Sequence, residues 1–419
     1  MKVPDLAQVT GNEEKSKKPG NVDLGKVRKK KKQAKHLAQL IAILIIAILV
    51  AVVWINADTI FEPLRGIASK IDNKTTLKVG FPVELTGSGD YSIMRFGNNF
   101  SLLTDTYLYT YDTSGAQLYA LKHGYSHPEQ TTSEKRIMLF DKSGNNFAVY
   151  SKSSLMYQNS VEDKIVYSSI GNDGLAAVVT DSKRYSNVLY VYDDGGNWKY
   201  TKKFADENVI QVSMVGDGNH LVVATLSAQH GDIITNFYKF SITSTEDCVW
   251  KRTIRSGSLP CGMYADNDNV VAVCDNCVVS IDCRSGELNA SYPYSGQLKN
   301  LYVCGDTTLV HYNDISANRN VLTAFSNKAE PTAQVNVSAA ASCVYSDADG
   351  IYVLDGAKLK VFDTDLINEN DIHVTDDDYT SFVKIGSDVI MLGYDTVNMV
   401  SVDTVKKDQG QDQGQDQDA

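Results

Sequence analysis

The sequence predicts an all-β protein: an eight-bladed β-propeller, with seven blades as the alternative count, following one N-terminal transmembrane helix. Three observations carry that prediction. From Leu77 to Val402, short apolar runs rich in Val, Tyr, Ile, Leu and Phe alternate with turns of Gly, Asn, Asp and Ser, the pattern of strands rather than helices. A strand running into aspartate recurs at Asp112, Asp193, Asp282 and Asp363, at intervals of 81, 89 and 81 residues. Each interval is two units of about 40–45 residues, the length of one four-stranded blade. Before all of this lies Leu37–Ile55, LAQLIAILIIAILVAVVWI, without a charged residue.

Residues 1–36 form a basic tail, read as disordered and cytoplasmic. They hold 11 Lys or Arg against 4 Asp or Glu, a net +7, so the remainder of a chain of net −11 carries −18. As a helix, Leu37 to Ile55 reaches roughly 28 Å, the thickness of a bilayer's hydrocarbon core. The run from Lys26 to Lys35 on one side and Asp58 and Glu62 on the other place the N-terminus inside. The competing readings are a core helix, which the abutting basic run disfavours, and a cleaved signal peptide, whose apolar stretch is usually shorter.

Residues 56–76 read as a stalk. Ile60, Phe61, Leu64, Ile67, Ala68 and Ile71 recur at helical spacing, although Pro63 and Gly66 weaken a helix there. Residues 77–405 are the propeller. Its units run 91–124, 125–163, 164–207, 208–257, 258–295, 296–339, 340–376 and a short last unit, 377–402. That last unit lacks one strand. An orphan strand, 77–85, precedes the first unit, with Val79, Phe81, Val83 and Leu85 alternating along one face. The sequence therefore predicts that 77–85 pairs with the strand around 397–402 and closes the ring, leaving no open edge. Residues 406–419, KKDQGQDQGQDQDA, are a low-complexity tail read as disordered.

The strand-ending aspartates are expected to cap hairpin turns, as short polar side chains do. Gly97-Asn98-Asn99-Phe100 and Gly144-Asn145-Asn146-Phe147 read as a further repeat. No catalytic constellation is visible. Three Trp are too few for a quinone-binding propeller, and sialidase-type and WD40 signatures are absent. Asp363-Thr-Asp365-Leu-Ile-Asn368-Glu-Asn-Asp371 clusters oxygens but lacks the glycine and register of a calcium loop; it reads as a solvated connection. No cofactor and no metal site is predicted. An acidic domain disfavours nucleic acid as a partner.

Cys274-Asp-Asn-Cys277 is the most distinctive local feature. All seven cysteines fall between Cys248 and Cys343, and this pair straddles an Asp-Asn turn between VVAV and VVSI. Its spacing suits metal or redox chemistry. Three readings stay open, in this order: free or structural thiols, a disulfide, and zinc.

Ile165-Val-Tyr-Ser-Ser-Ile-Gly-Asn-Asp-Gly-Leu-Ala-Ala-Val-Val-Thr180, then Tyr185-Ser-Asn-Val-Leu-Tyr-Val-Tyr-Asp193, together with anchor and stalk, resembles the single-pass, membrane-anchored propeller proteins of unknown function from clostridial-type Gram-positive bacteria. The resemblance implies a cell-surface location and supplies no catalytic residues. The function expected is a non-enzymatic binding or scaffolding module for an envelope protein, glycan or peptide. The alternatives are an extracytoplasmic enzyme acting on glycans or peptides at the channel mouth and, third, an envelope sensor. Converging carboxylates or histidines at that mouth would favour the enzyme, and an exposed aromatic patch on a disc face the binder.

Overall fold

The computed structural model describes residues 80–85, 90–244, 247–255, 257–374 and 378–402. The anchor residues Leu37 and Ile55, the stalk, Val79 and the C-terminal tail lie outside them. Among the described residues, no helix is long and apolar enough to cross a membrane.

The described chain folds into eight antiparallel sheets of four strands each. Blade 1 runs from Ser92–Phe96 to Gln117–Lys122, blade 2 from Pro128–Thr132 to Leu155–Ser160, and blade 3 from Ile165–Ile170 to Trp198–Phe204. Blade 4 spans Asn208–Met214 to Trp250–Ile254, blade 5 Pro260–Ala265 to Leu288–Pro293, blade 6 Gln297–Cys304 to Pro331–Val337, and blade 7 Ala341–Asp347 to Glu369–His373. Blade 8 combines Ser381–Ile385, Asp388–Leu392 and Thr396–Ser401 with Val83–Glu84 from the other end of the chain. The first strand of every blade touches the first strands of both neighbours, including that of blade 8 against blade 1, so the ring is closed.

The strands fit this arrangement because both faces of each sheet are covered. The middle strands are near-continuous apolar runs, such as Ala176–Thr180 and Asn269–Cys274, and they are buried along most of their length. Outer strands alternate, as in Gln117–Lys122. The apolar core is eight clusters, one between each pair of neighbouring blades. Burying each Val, Leu or Phe in such a cluster contributes about 1.5–3 kcal/mol. Polar side chains on the inner strands add ties between blades. Gln130 Nε2 donates to the Ser92 carbonyl (2.9 Å) and Thr132 Oγ1 to that of Arg95 (2.8 Å). Further round, Tyr167 donates to Gln211 (3.1 Å), which donates to the Cys261 carbonyl (3.2 Å).

The predicted caps are present on blades 1, 3, 5 and 7. Asp112 Oδ1 accepts the N–H groups of Ser114 and Ala116, Asp193 those of Gly195 and Asn197, Asp282 those of Arg284 and Ser285, and Asp363 that of Ile367. All four lie between third and outer strands. Blades 4 and 6 place a serine there: Ser241 accepts from Thr243, and Ser326 from Lys328 and Glu330. That alternation explains an aspartate period of two blades. The Gly97 and Gly144 motifs are not equivalent. Gly97 turns between the first and second strands of blade 1, and Gly144 between the second and third of blade 2.

Ring closure uses a shorter segment than the sequence suggests. Only Val83–Glu84 is strand, pairing Val83 with Val397 and Glu84 with Thr396, and Leu85 N–H reaches the Asp395 carbonyl at 2.8 Å. Pro82 has no N–H to give a ladder, and Gly80 takes φ +112°, so the strand does not extend backwards. Phe81, Val83 and Leu85 nevertheless pack into the cluster between blades 8 and 1, with Phe81 stacked on Phe100 at 6.2 Å.

Candidate functional site

Strand direction divides the connections between two faces. Strands alternate up and down within a blade, and all first strands run the same way round the ring. Linkers between blades therefore share a face with turns between second and third strands; this is the linker face. The other turns define the turn face. Both ends of the described ring lie on the turn face. A Cβ on Gly115, in a third-to-outer turn, would come within 3.0 Å of Gly80. Val402 N–H bonds the carbonyl of Ser387, in a first-to-second turn, at 3.0 Å.

On the linker face, blade 4 projects. Its second and third strands, His220–Gln229 and Asp232–Ser241, are paired out to Gln229 and Asp232. The first strand stops pairing at Leu226 and the outer strand at Thr235. Beyond these positions the two strands form a ribbon, pairing only with each other among the described residues; 228–233 are exposed and turn at His230 (φ +55°) and Gly231 (φ +93°), while Ile234 is still buried. Glu207 braces the ribbon's base, accepting from Asn236 Nδ2 (3.1 Å), Tyr238 (2.8 Å) and Thr225, with Lys251 at 3.5 Å. Ile233 is 52% exposed near the tip. Leu259 in the next linker and Ile315, 74% exposed in the turn of blade 6, continue the apolar series over neighbouring blades.

Blade 5, between them, carries the cysteine pair. Cys274 and Cys277 flank the two-residue turn Asp275-Asn276, next to the paired residues Val273 and Val278. Both are buried and neither is in a disulfide. Their thiols are within hydrogen-bonding reach of each other, and Cys277 Sγ lies 3.3 Å from Ser258 Oγ. The hydrogen bond from Cys274, helped by the serines, holds the Cys277 thiol below its usual range against burial. The same bond, then burial, pushes Cys274 up. Among the described residues, no group of three or more His, Cys, Asp or Glu is arranged to hold a metal ion.

The turn face carries a cluster that the sequence reading did not single out. Lys384, on the inner strand of blade 8, is 1% exposed. Its Nζ lies 2.9 Å from Asp347 Oδ2, 3.2 Å from Asp349 Oδ2 and 2.5 Å from the Gly386 carbonyl, and it sits 4.8 Å from the Tyr352 ring centroid. Burial opposes the charge, but the Asp347 carboxylate and Tyr352 outweigh it and raise the Lys384 pKa. Arg95 of blade 1 reaches across blade 8, donating to the Lys384 carbonyl (3.4 Å) and to Tyr345 of blade 7 (2.9 Å). The hint in sequence was a lysine inside the apolar run Phe382-Val-Lys-Ile385.

Other carboxylates near this channel mouth are engaged in their own turns. Asp173 accepts the N–H groups of Leu175 and Gly218, Asp217 pairs with His220, and Asp266 accepts those of Asp268 and Asn269. In the oxygen-rich connection of blade 7, Asp363 is a turn cap and Asp371 pairs with Lys358. A further series of exposed apolar residues, Leu118, Leu155, Met156 and Trp198, marks the starts of the outer strands of blades 1–3.

The fold and its two faces define an eight-bladed β-propeller closed by a strand from the N-terminal side. The chain belongs to DUF5711, a family of unknown function, which it matches over residues 71–402. No curated protein matches it. Among solved structures it is similar to Sqt1 of Saccharomyces cerevisiae (TM-score 0.57, 11% identity, 76% of this chain and 98% of that one). It is also similar to the C-terminal WD40 domain of Sif2 (0.54, 13%, 77% and 99%) and to BamB from Moraxella catarrhalis (0.52, 11%, 77% and 96%). At such identity the likeness is one of fold.

Proposed function

We propose that this protein is a non-enzymatic binding or scaffolding module, anchored at a bacterial cell membrane through Leu37–Ile55 with its propeller outside. The linker face would bind an extended segment of an envelope protein or peptide. The observation that carries the reading is the asymmetry of the ring. Both ends of the described ring lie on the turn face, while the linker face presents a ribbon of blade 4 whose edges are unpaired among the described residues, with exposed Ile233 near its tip, Leu259 in the next linker and Ile315 in blade 6. Free strand edges accept an added strand through main-chain hydrogen bonds, and flanking apolar side chains supply affinity. The carboxylates and cations of the turn-face mouth are committed to one another, which favours structure over catalysis there.

The test is photo-crosslinking on intact cells, with the probe placed in the full chain at Ile233, Ile315 or Trp198. The expected result is one discrete protein adduct from Ile233 and Ile315 and none from Trp198. Adducts from Trp198 alone would move the binding surface to the rim. Binding of a polysaccharide would replace the protein partner by a glycan.

A further inference from the structure

Three of the seven cysteines meet at the linker-face end of blade 5, on three adjacent strands. Cys274 ends the second strand and Cys277 begins the third, on either side of a two-residue turn. Cys261 lies on the first strand at a bulge: Pro260 pairs with Cys274 and Gly262 with Val273, so Cys261 is the extra residue beside Cys274. Residues two apart on a strand share a face. Met263 packs against the cluster that contains Cys274 and Cys277, which puts Cys261 on that side as well. Cys274 and Cys277 face each other next to the pair Val273 and Val278, and directly opposed residues have Cα atoms about 4.5–5.5 Å apart, inside the range of roughly 4.4–6.8 Å that a disulfide spans; Cys261 adjoins Pro260, the residue opposed to Cys274. The three thiols differ in access. Cys274 and Cys277 are buried, whereas Cys261 is only partly so, its Sγ 3.3 Å from the Leu259 carbonyl.

We propose that Cys261, Cys274 and Cys277 form a thiol–disulfide exchange site, with Cys261 as the entry thiol and Cys274–Cys277 as the stored disulfide. The co-reactant is the disulfide of a small thiol. The Cys261 thiolate attacks one of its sulfurs; that S–S bond breaks, a mixed disulfide forms and one small thiolate leaves. Cys274 attacks the Cys261 sulfur, forming Cys261–Cys274 and releasing the second small thiolate. Cys277 then attacks Cys274, so the bond passes to Cys274–Cys277 and Cys261 returns as a free thiol. In sum the protein loses two electrons and two protons, and one small disulfide becomes two small thiols. Access rather than acidity selects the entry thiol, since burial and Asp275 push the Cys261 thiol up; the buried pair is already aligned, and the hydrogen bond between its sulfurs lets Cys277 take the proton of Cys274 as Cys274 attacks. A thiolate is the attacking species in each step.

The experiment uses the full chain, reduced and then incubated with oxidised glutathione. Samples are acid-quenched at intervals, alkylated and mapped by peptide mass. The expected result is transient glutathione on Cys261 followed by a disulfide within the peptide holding Cys274 and Cys277. Cys261→Ser should slow formation of that disulfide by about tenfold or more, whereas Cys304→Ser, which removes an exposed thiol of blade 6, should not. An unchanged melting temperature in both variants identifies folded protein, and the wild-type time course stands without them. If Cys274 and Cys277 stay alkylatable while Cys304 becomes glutathionylated, the site does not exist. If Cys261→Ser oxidises at the wild-type rate, Cys261 is not the entry thiol. Either result overturns the proposal. The site is independent of the binding role of the linker face.

Discussion

The two faces of the ring are built differently. On the turn face, polar side chains are used up by the fold, while Leu118, Leu155, Met156, Trp198 and Ile367 are exposed along its outer edge. Four aspartates cap turns, Asp217 holds His220, and Lys384 is enclosed by Asp347, Asp349 and Tyr352, with Arg95 fastening blade 1 to blade 7 across the closing blade. On the linker face, a ribbon of blade 4 stands clear of its own sheet, apolar side chains reach solvent, and thiols remain unpaired. The comparison separates the groups that hold the ring together from those the proposed function would use. Blade 8 has the shortest outer strand among the described residues, two residues long, and the Lys384 cluster ties it to its neighbours on the inner side, at the turn-face mouth. That division is experimentally separable.

The largest effect should follow from Lys384→Ala. It leaves Asp347 without its cation and opens a void beside Tyr352, and breaking a buried ion pair costs about 3–5 kcal/mol. Because the Asp347 side chain keeps 23% of its exposure, the lower end, about 3 kcal/mol, is expected in urea unfolding. A loss under about 1 kcal/mol would remove the cluster from the closure account. Phe81→Ala comes next. It deletes a partly buried ring stacked on Phe100 and should cost about 2 kcal/mol. The comparison fails if Leu118→Ala, on a mid-ring outer strand, costs as much.

Asp282→Ala should have the smallest effect of the three, lowering the melting temperature by about 2 °C. Its pH dependence has a definite sign. The N–H and hydroxyl of Ser285, opposed by desolvation and helped by the Arg284 N–H, hold the Asp282 carboxyl below its usual range. A depressed carboxyl pKa adds stability above the unfolded value, near pH 4, and that contribution is lost as pH falls through the folded value. The difference between wild type and Asp282→Ala should therefore be constant from pH 5 to 7 and shrink below about pH 4. A difference that grew on acidification would contradict the capping role.

Much of the turn face was legible in sequence because local chemistry dictates it. Asp112, Asp193, Asp282 and Asp363 mark turns through hydrogen bonds to residues within five positions of themselves. The orphan strand was legible because a closed ring needs every edge paired; its true length was not, since Pro82 and Gly80 limit it through backbone geometry. The Gly97 and Gly144 motifs misled because the same turn chemistry serves two kinds of turn. Lys384, Asp347 and Arg95 come together from three blades, 37 and 289 positions apart for Lys384 with Asp347 and Arg95, and no local pattern links them. The linker-face ribbon escaped notice for another reason. Its residues continue the two strands without a break, and only the shorter neighbours reveal that it projects.

The central claim is that recognition belongs to the linker face and stability to the turn face. The most direct test measures both properties on one double variant, Ile233→Asp with Ile315→Asp, in the full chain carrying a photo-crosslinker at Leu259. The account predicts a melting temperature within about 1 °C of the parent, since surface substitutions usually act within ±0.5 kcal/mol, together with loss of the adduct formed on intact cells. An adduct undiminished in a normally folded double variant would contradict it.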